Sequence, residues 1–206
     1  MVNLNPDNIA AAFKKYNYKF FVEGDYNLNI FGIRMNNNLD QFTDTRVVFY
    51  KVNGAWVIWQ TNCTTKPGLF SLLHPENNEG TSTLKEGQYL SNWVIGWHKG
   101  IAETSHRALV QKADGYGLPV YRDFEHDGQI RFDLAHLKDD GRGINLHGTY
   151  NYGGSVAPPK VYNWSMGCQV IAIENSQMEF MDLCDKAAPL HGNSFSYTLF
   201  NALDFI

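Results

Sequence analysis

The chain has 206 residues, enough for one sizeable domain with a full hydrophobic core, or for one domain with a small appendage. Its net charge of -4, with no basic run, excludes nucleic acid as an expected partner, because neutralising phosphates takes clustered Lys and Arg. Thirteen Phe, eleven Tyr and five Trp supply the flat rings that fill β cores and line peptide or sugar clefts.

Met1 to Pro6 carry no charged leader or apolar h-region, and no apolar run approaches the length of a membrane span. The expectation is a chain without a signal peptide or a membrane span. Asn5-Pro6-Asp7 reads as the cap of a first helix over residues 8–18, with Ile9, Ala12, Phe13 and Tyr16 on its packing face. Residues 19–34 read as two short β pieces around Glu23-Gly24-Asp25, and Asn36-Asn37-Asn38 marks a loop. Two β-branched and aromatic runs within residues 47–59 meet at Asn53-Gly54, the strongest short hairpin signal available.

Cys63, Cys168 and Cys184 are odd in number and lack Cys-x-x-Cys spacing, which argues against a zinc ribbon and a disulfide scaffold. Cys63 reads as half-buried packing. Residues 67–86 are loop-rich, with Pro67-Gly68, His74-Pro75 and Gly80, and form a candidate cleft wall or lid. Strands are expected over 88–97, 107–112 and 118–122. His98 and His106 flank the first connection and with His147 would make three imidazoles, but no ligand-spaced triplet supports a metal, and no cofactor is expected.

Asp123, Glu125 and Asp127 before Gly128 resemble the start of a calcium loop, yet Leu134 occupies the position of the closing Glu; a solvated acidic turn is the preferred reading. Residues 174–187 read as an amphipathic helix, apolar at Met178, Met181, Leu183 and Cys184, and 194–200 as a closing strand. The sum is a mainly β domain with a helix near each end.

The chemistry concentrates in Gly143-Ile144-Asn145-Leu146-His147-Gly148 and Trp164-Ser165-Met166-Gly167-Cys168-Gln169-Val170-Ile171, joined by a Tyr-, Gly- and Pro-rich loop. His147 stands where one apolar β segment runs out and Cys168 where another begins, a nucleophile and a base on rigid elements. Gly167 lets backbone approach a carbonyl, and amides around Ser165 to Cys168 are candidate oxyanion donors. The plain alternative makes Cys168 a buried hydrophobe and His147 a satisfied strand-end histidine.

His147-Gly148 followed some twenty residues later by Ser165-x-Gly167-Cys168 and an apolar strand resembles the active-site signature of the L,D-transpeptidase (YkuD-type) catalytic domain. The 47–59 hairpin, Thr64-Thr65-Lys66-Pro67-Gly68 and Gly87-Gln88-Tyr89 are similar to upstream parts of that family, over residues 46–173 or so. Gly143 to His147 together with Trp164 to Val170 looks like a divergent branch of bacteriophage and gut-bacterial chains. Two positions depart from the pattern: the usual Arg after the Cys-apolar pair is missing, and Met166 fills a slot often held by His.

The resemblance implies a twisted β-sandwich, with residues 1–45 packed on a catalytic domain over 46–206. It also implies a cysteine-dependent enzyme acting on peptidoglycan stem peptides through a thioester on Cys168, with His147 as base and then acid. Ser165 and Gly167 complete the catalytic candidates; Trp164, Tyr150, Tyr152, Gln169 and His98 are the substrate-contacting ones. A lysin-like peptidase is expected ahead of a cross-linking transpeptidase, delivered to the bacterial wall by another device. The competing readings are a non-catalytic wall- or glycan-binding protein and a calcium-stabilised structural protein. The dyad reading further implies His147 within about 4 Å of the Cys168 sulfur, directly or after a small rotation, and a thiol that ionises below the free value of about 8.5.

Overall fold

The computed structural model describes residues 4–35, 39–99, 105–150 and 154–205. The loop marker at 36–38 lies outside them. Helix α1 (Pro6–Lys15) starts at Asn5, whose side chain accepts from the Asp7 and Asn8 amides while the Asn8 side chain accepts from the Asn5 amide. This reciprocal cap satisfies amides that the first turn leaves without partners. Ile9, Ala12 and Phe13 are buried as their spacing requires, but Tyr16 is the C-cap and is 44% exposed. Of the two β pieces expected over 19–34, only β1 (Asn29–Arg34) forms. The Asn29 side chain bonds both the amide and the carbonyl of Phe21, so that stretch is satisfied by a side chain instead of a ladder.

Strands β2 (Asp44–Val52) and β3 (Ala55–Thr64) form the expected hairpin, with Asn53 and Gly54 both left-handed (φ 50° and 78°) as a tight two-residue turn needs. Then follow α2 (Leu69–Leu73), β4 (Ser82–Leu84), β5 (Gly87–His98), β6 (His106–Gln111), β7 (Leu118–Arg122) and β8 (Leu137–Gly141). β9 (Leu146–Gly148), β10 (Gln169–Ile171), α3 (Glu174–His191), β11 (Phe195–Asn201) and a 3-10 turn, Ala202–Phe205, complete the order. No described helix is long and apolar enough to cross a membrane.

The protein is mainly β. Eight strands close into a barrel in the order β1-β11-β5-β6-β9-β10-β3-β2, and β4, β7 and β8 make a separate three-stranded sheet. A closed ring is a different arrangement from the two facing sheets of a sandwich. Two parallel contacts make the difference: β1 against β11, and the three-residue β9 against the three-residue β10, which together bridge β6 to β3. Residues 29–34 are staves of this same barrel, so the expected division after residue 45 does not coincide with any break in the sheet; it cuts through β2.

Two apolar clusters explain the burial pattern. Inward barrel side chains, including Leu109, Leu146, Ile171 and Tyr197, pack with Phe180, Met181 and Cys184 of α3. On the other side, Phe31, Ile33, Val47 and Phe49 pack against Ile9, Ala12 and Phe13 of α1. All six residues of β1 are consequently buried, one face under each cluster. Cys63 is fully buried, deeper than expected, and Met178 is 62% exposed because it faces away from the barrel, opposite to its expected side.

Candidate active site

The sheet register brings the two halves of the motif together. β10 pairs in parallel with β9, Gln169 opposite Leu146 and Val170 opposite His147, which sets Cys168 at the level of Asn145. Gln169 N–H donates to the Asn145 carbonyl at 2.9 Å. Strand side chains alternate, so with Leu146 and Gln169 turned into the barrel, Asn145, His147 and Cys168 share the outer side. Gly148 lets α3 approach: a Cβ there would stand 2.4 Å from the Gln177 Cβ. Gly167 has φ 127° and would bring a Cβ to 2.9 Å from the Ser82 carbonyl oxygen, so only glycine suits the turn before Cys168.

Cys168 is half-buried and borders a cavity of about 690 Å³ that also reaches His98, His147 and Trp164. Its Sγ accepts from the Asn145 amide and donates to the Gly143 carbonyl, each at 3.4 Å. His147 is 2% exposed. Its Nδ1 lies 2.9 Å from the Gly148 carbonyl, which can only accept, so Nδ1 carries the proton and Nε2 keeps its lone pair. That Nε2 is buried with no hydrogen-bond partner. One ring nitrogen each of His98 and His147 and the Cys168 sulfur all lie within 4.8 Å of one another. Sulfur and imidazole are thus close, with no hydrogen bond joining them at rest.

Electrostatics oppose the ion pair expected from the motif. Burial pushes the Cys168 thiol up to about 11, against smaller opposing effects of the Asn145 amide and Lys99. Burial likewise holds His147 well below an ordinary imidazole, with neighbouring His98 adding to it. The resting dyad is therefore a neutral thiol beside a neutral imidazole, a correction to the expected thiolate-imidazolium form.

Other candidates fall into place or out of it. His98 stacks on His147 with centroids 3.9 Å apart and planes 12° apart, and burial presses it down to about 4. Asn145 Oδ1 accepts from the Gln111 amide, which leaves Nδ2 to donate to His98 Nδ1 at 2.9 Å. Tyr150 stacks on His106 and meets Trp164 edge-on, beside a smaller cavity lined by all three histidines. Tyr152 lies outside the described residues. The 67–86 segment supplies Phe70, His74, Thr81 and Ser82 to the wall of the larger cavity, and Asn163, Trp164 and Met166 supply another part of it.

Three expected roles are corrected. Gln169 is fully buried, its Nε2 donating to the Gly167 carbonyl and its Oε1 accepting from Tyr197 Oη, so it supports the Cys168 turn from inside the barrel and cannot touch a substrate. Ser165 is also fully buried; its Oγ donates to the Cys168 carbonyl and accepts from the Gly167 amide. That hydroxyl holds the turn together, and the Gly167 amide is thereby taken and not aimed at a substrate oxyanion. Beneath the turn Arg46, fully buried, donates to the Gln169 carbonyl and sits over the Phe180 and Tyr197 rings. A cation thus underlies the Cys168 segment from β2, although the motif lacks its Arg.

Asn145 is the residue the sequence reading misses: it bonds Cys168 Sγ through its backbone and His98 through its side chain. Its place two residues before His147, on the same strand face, is the signal that finds it. Lys99, Arg122 and Arg142 also border the cavity, Arg122 paired with Asp140. In the acidic turn, Arg131 bonds Asp127 at 2.5 Å and 3.0 Å and Glu125 at 3.3 Å, and His136 bonds Asp133 and Glu125. A guanidinium and an imidazole thus engage the Glu125, Asp127 and Asp133 carboxylates, while the buried Asp123 carboxylate, 3.8 Å from Arg131, makes no hydrogen bond.

No known protein family, curated protein or solved structure matches this chain. The L,D-transpeptidase resemblance therefore stands on the motif residues alone.

Proposed function

We propose that the protein is a cysteine-dependent enzyme acting on peptidoglycan stem peptides through a thioester on Cys168, cleaving a peptide bond in preference to forming a cross-link. The observation that carries this reading is the His147 imidazole, which has a ring nitrogen within 4.8 Å of the Cys168 sulfur at the edge of the cavity and a buried Nε2 whose lone pair has no partner. A cavity of about 690 Å³ suits a short peptide, and Lys99 and Arg142, which pair with no carboxylate among the described residues, suit the carboxylates of a stem peptide. The reading rests on the site and not on the family's twisted sandwich.

Because the dyad rests neutral, proton transfer accompanies attack. His147 Nε2 takes the thiol proton as Sγ bonds the carbonyl carbon, and the Nδ1–H bond to Gly148 steadies the imidazolium so formed. The imidazolium then gives that proton to the leaving amine. Water, deprotonated by the same Nε2, attacks the thioester and releases the acid and the free thiol. With the Gly167 amide engaged, oxyanion stabilisation falls to the Cys168 amide.

The second reading is a non-catalytic wall-binding protein that uses the aromatic loop, and the raised thiol is the observation in its favour. Purified sacculi incubated with the protein, followed by mass analysis of the muropeptides, separate the two. New fragments with wild type and none with Cys168→Ala are expected; an unchanged muropeptide profile with wild type that still sediments with sacculi would establish the binding protein.

A further inference from the structure

We propose that Cys168, His147 and His98 form a binding site for one thiophilic divalent cation of the zinc class, whose occupancy competes with thiol chemistry at Cys168. The three donors lie within 4.8 Å of one another, His98 at the end of β5, His147 in β9 and Cys168 in the turn before β10. Tetrahedral zinc, with bonds of about 2.3 Å to sulfur and 2.0–2.1 Å to nitrogen, places its donors roughly 3.3–3.6 Å apart, so the cluster has to close by at most about 1.5 Å. Two imidazoles and one thiolate are a donor set that zinc favours, and three protein ligands leave one position for water.

A second observation points to an ion independently of the cluster. His147 Nε2 is buried, partnerless and aimed away from the Gly148 carbonyl that holds Nδ1–H. A ring nitrogen donating to a backbone carbonyl while the other offers a lone pair is the arrangement that orients metal-bound histidines. His98 is the member that must move. Its ring stacks almost parallel on His147, so the in-plane lone pairs of the two rings lie in separate, nearly parallel planes and do not converge on one point. Turning it exchanges the Nδ1 bond from Asn145 for a bond to the ion. His98 is half-buried at the end of β5 and borders both cavities, which gives it room to turn. Binding exchanges the thiol proton of Cys168 for the cation, and the proton leaves to solvent.

This inference rests on the dyad of the proposed function, but its test needs no substrate. The full chain, stripped with chelator, is titrated with Co²⁺, and the near-ultraviolet thiolate-to-cobalt band and visible ligand-field bands are followed. One ion per chain is expected, displaced by Zn²⁺. Cys168→Ser should abolish the thiolate band, His98→Ala and His98→Gln should weaken binding at least about tenfold, and Cys184→Ala should leave the band intact. A band that survives Cys168→Ser, or affinity indifferent to both His98 variants in folded protein, would overturn the site. A chain that binds Co²⁺ in this way yet never alters sacculi would refute the enzyme reading and leave the metal site standing. Sacculus cleavage unchanged at saturating Zn²⁺ would overturn the competition.

Discussion

Cys168 and His147 define a dyad in which burial decides the protonation states. The thiol is pushed up to about 11 and the imidazole well down, so between these values neither carries charge. Alkylation follows the thiolate fraction. In the chelated protein, iodoacetamide should therefore react with Cys168 slowly at pH 7, and the rate should climb only above about pH 9, later than for a free thiol near 8.5. Peptide mapping of the alkylated site across pH 6–11 checks this; a plateau already reached by pH 8 would contradict the neutral dyad. The same position shows what the sequence reveals and what it conceals. Strand ends flanking one loop are enough to place sulfur and imidazole together, whereas their ionisation depends on how much protein covers them, which no motif encodes. Gln169 is a different case: alternation along residues 168–171 already turns it inward once Cys168 faces out.

Among the elements, β9 and β10 are the shortest of the barrel strands and carry the site, so their placement depends on longer neighbours. β5, twelve residues long, supplies the clamp: Trp93 is fully buried and its Nε1 donates to the Ile144 carbonyl at 2.8 Å, just before β9. Trp93→Ala removes a large core ring and should cost about 3–5 kcal/mol of stability. Trp93→Phe keeps most of the packing and loses the hydrogen bond, about 1 kcal/mol, while freeing the Ile144 segment. The expected outcome is a modest fall in denaturation midpoint for the Phe variant with a disproportionate loss of sacculus cleavage. Equal losses in both would make Trp93 a core residue only. The Asn53-Gly54 hairpin, α1 and α3 are legible from local signals, a turn dipeptide, a cap and a helical stripe. β9 and β10 are not, because three-residue strands carry too little pattern and owe their pairing to the closure of the ring.

At the scale of the whole molecule, the closed barrel buries titratable groups on its outer side as well as its centre. His98 and His147 both ionise below a free imidazole, so the folded state resists their protonation. Their neutral forms leave stability undiminished above pH 6.5, and stability falls as pH drops from there through about 4. His136 acts with the opposite sign: its bonds to Asp133 and Glu125 raise it, a contribution present below pH 6.5 and lost as pH rises through its folded value. The difference between wild type and His98→Gln isolates the buried rings. Thermal midpoints measured from pH 8 to pH 4 should converge in acid, the variant declining less; parallel curves would show that His98 is not protonated against resistance. Barrel closure was the least legible property of the chain, since β1 and β11 meet from opposite ends of the sequence and no short-range signal joins residues 29–34 to 195–201.

The central claim is that Cys168 carries the acyl group of a stem peptide. Intact-protein mass spectrometry after acid quenching of wild type with solubilised muropeptides tests it most directly, with peptide mapping of any adduct. The account predicts a mass increase equal to the acyl fragment, confined to the Cys168 peptide, released by hydroxylamine and absent in Cys168→Ala. Muropeptide products accumulating with no adduct on Cys168, or formed equally by Cys168→Ala, would contradict it.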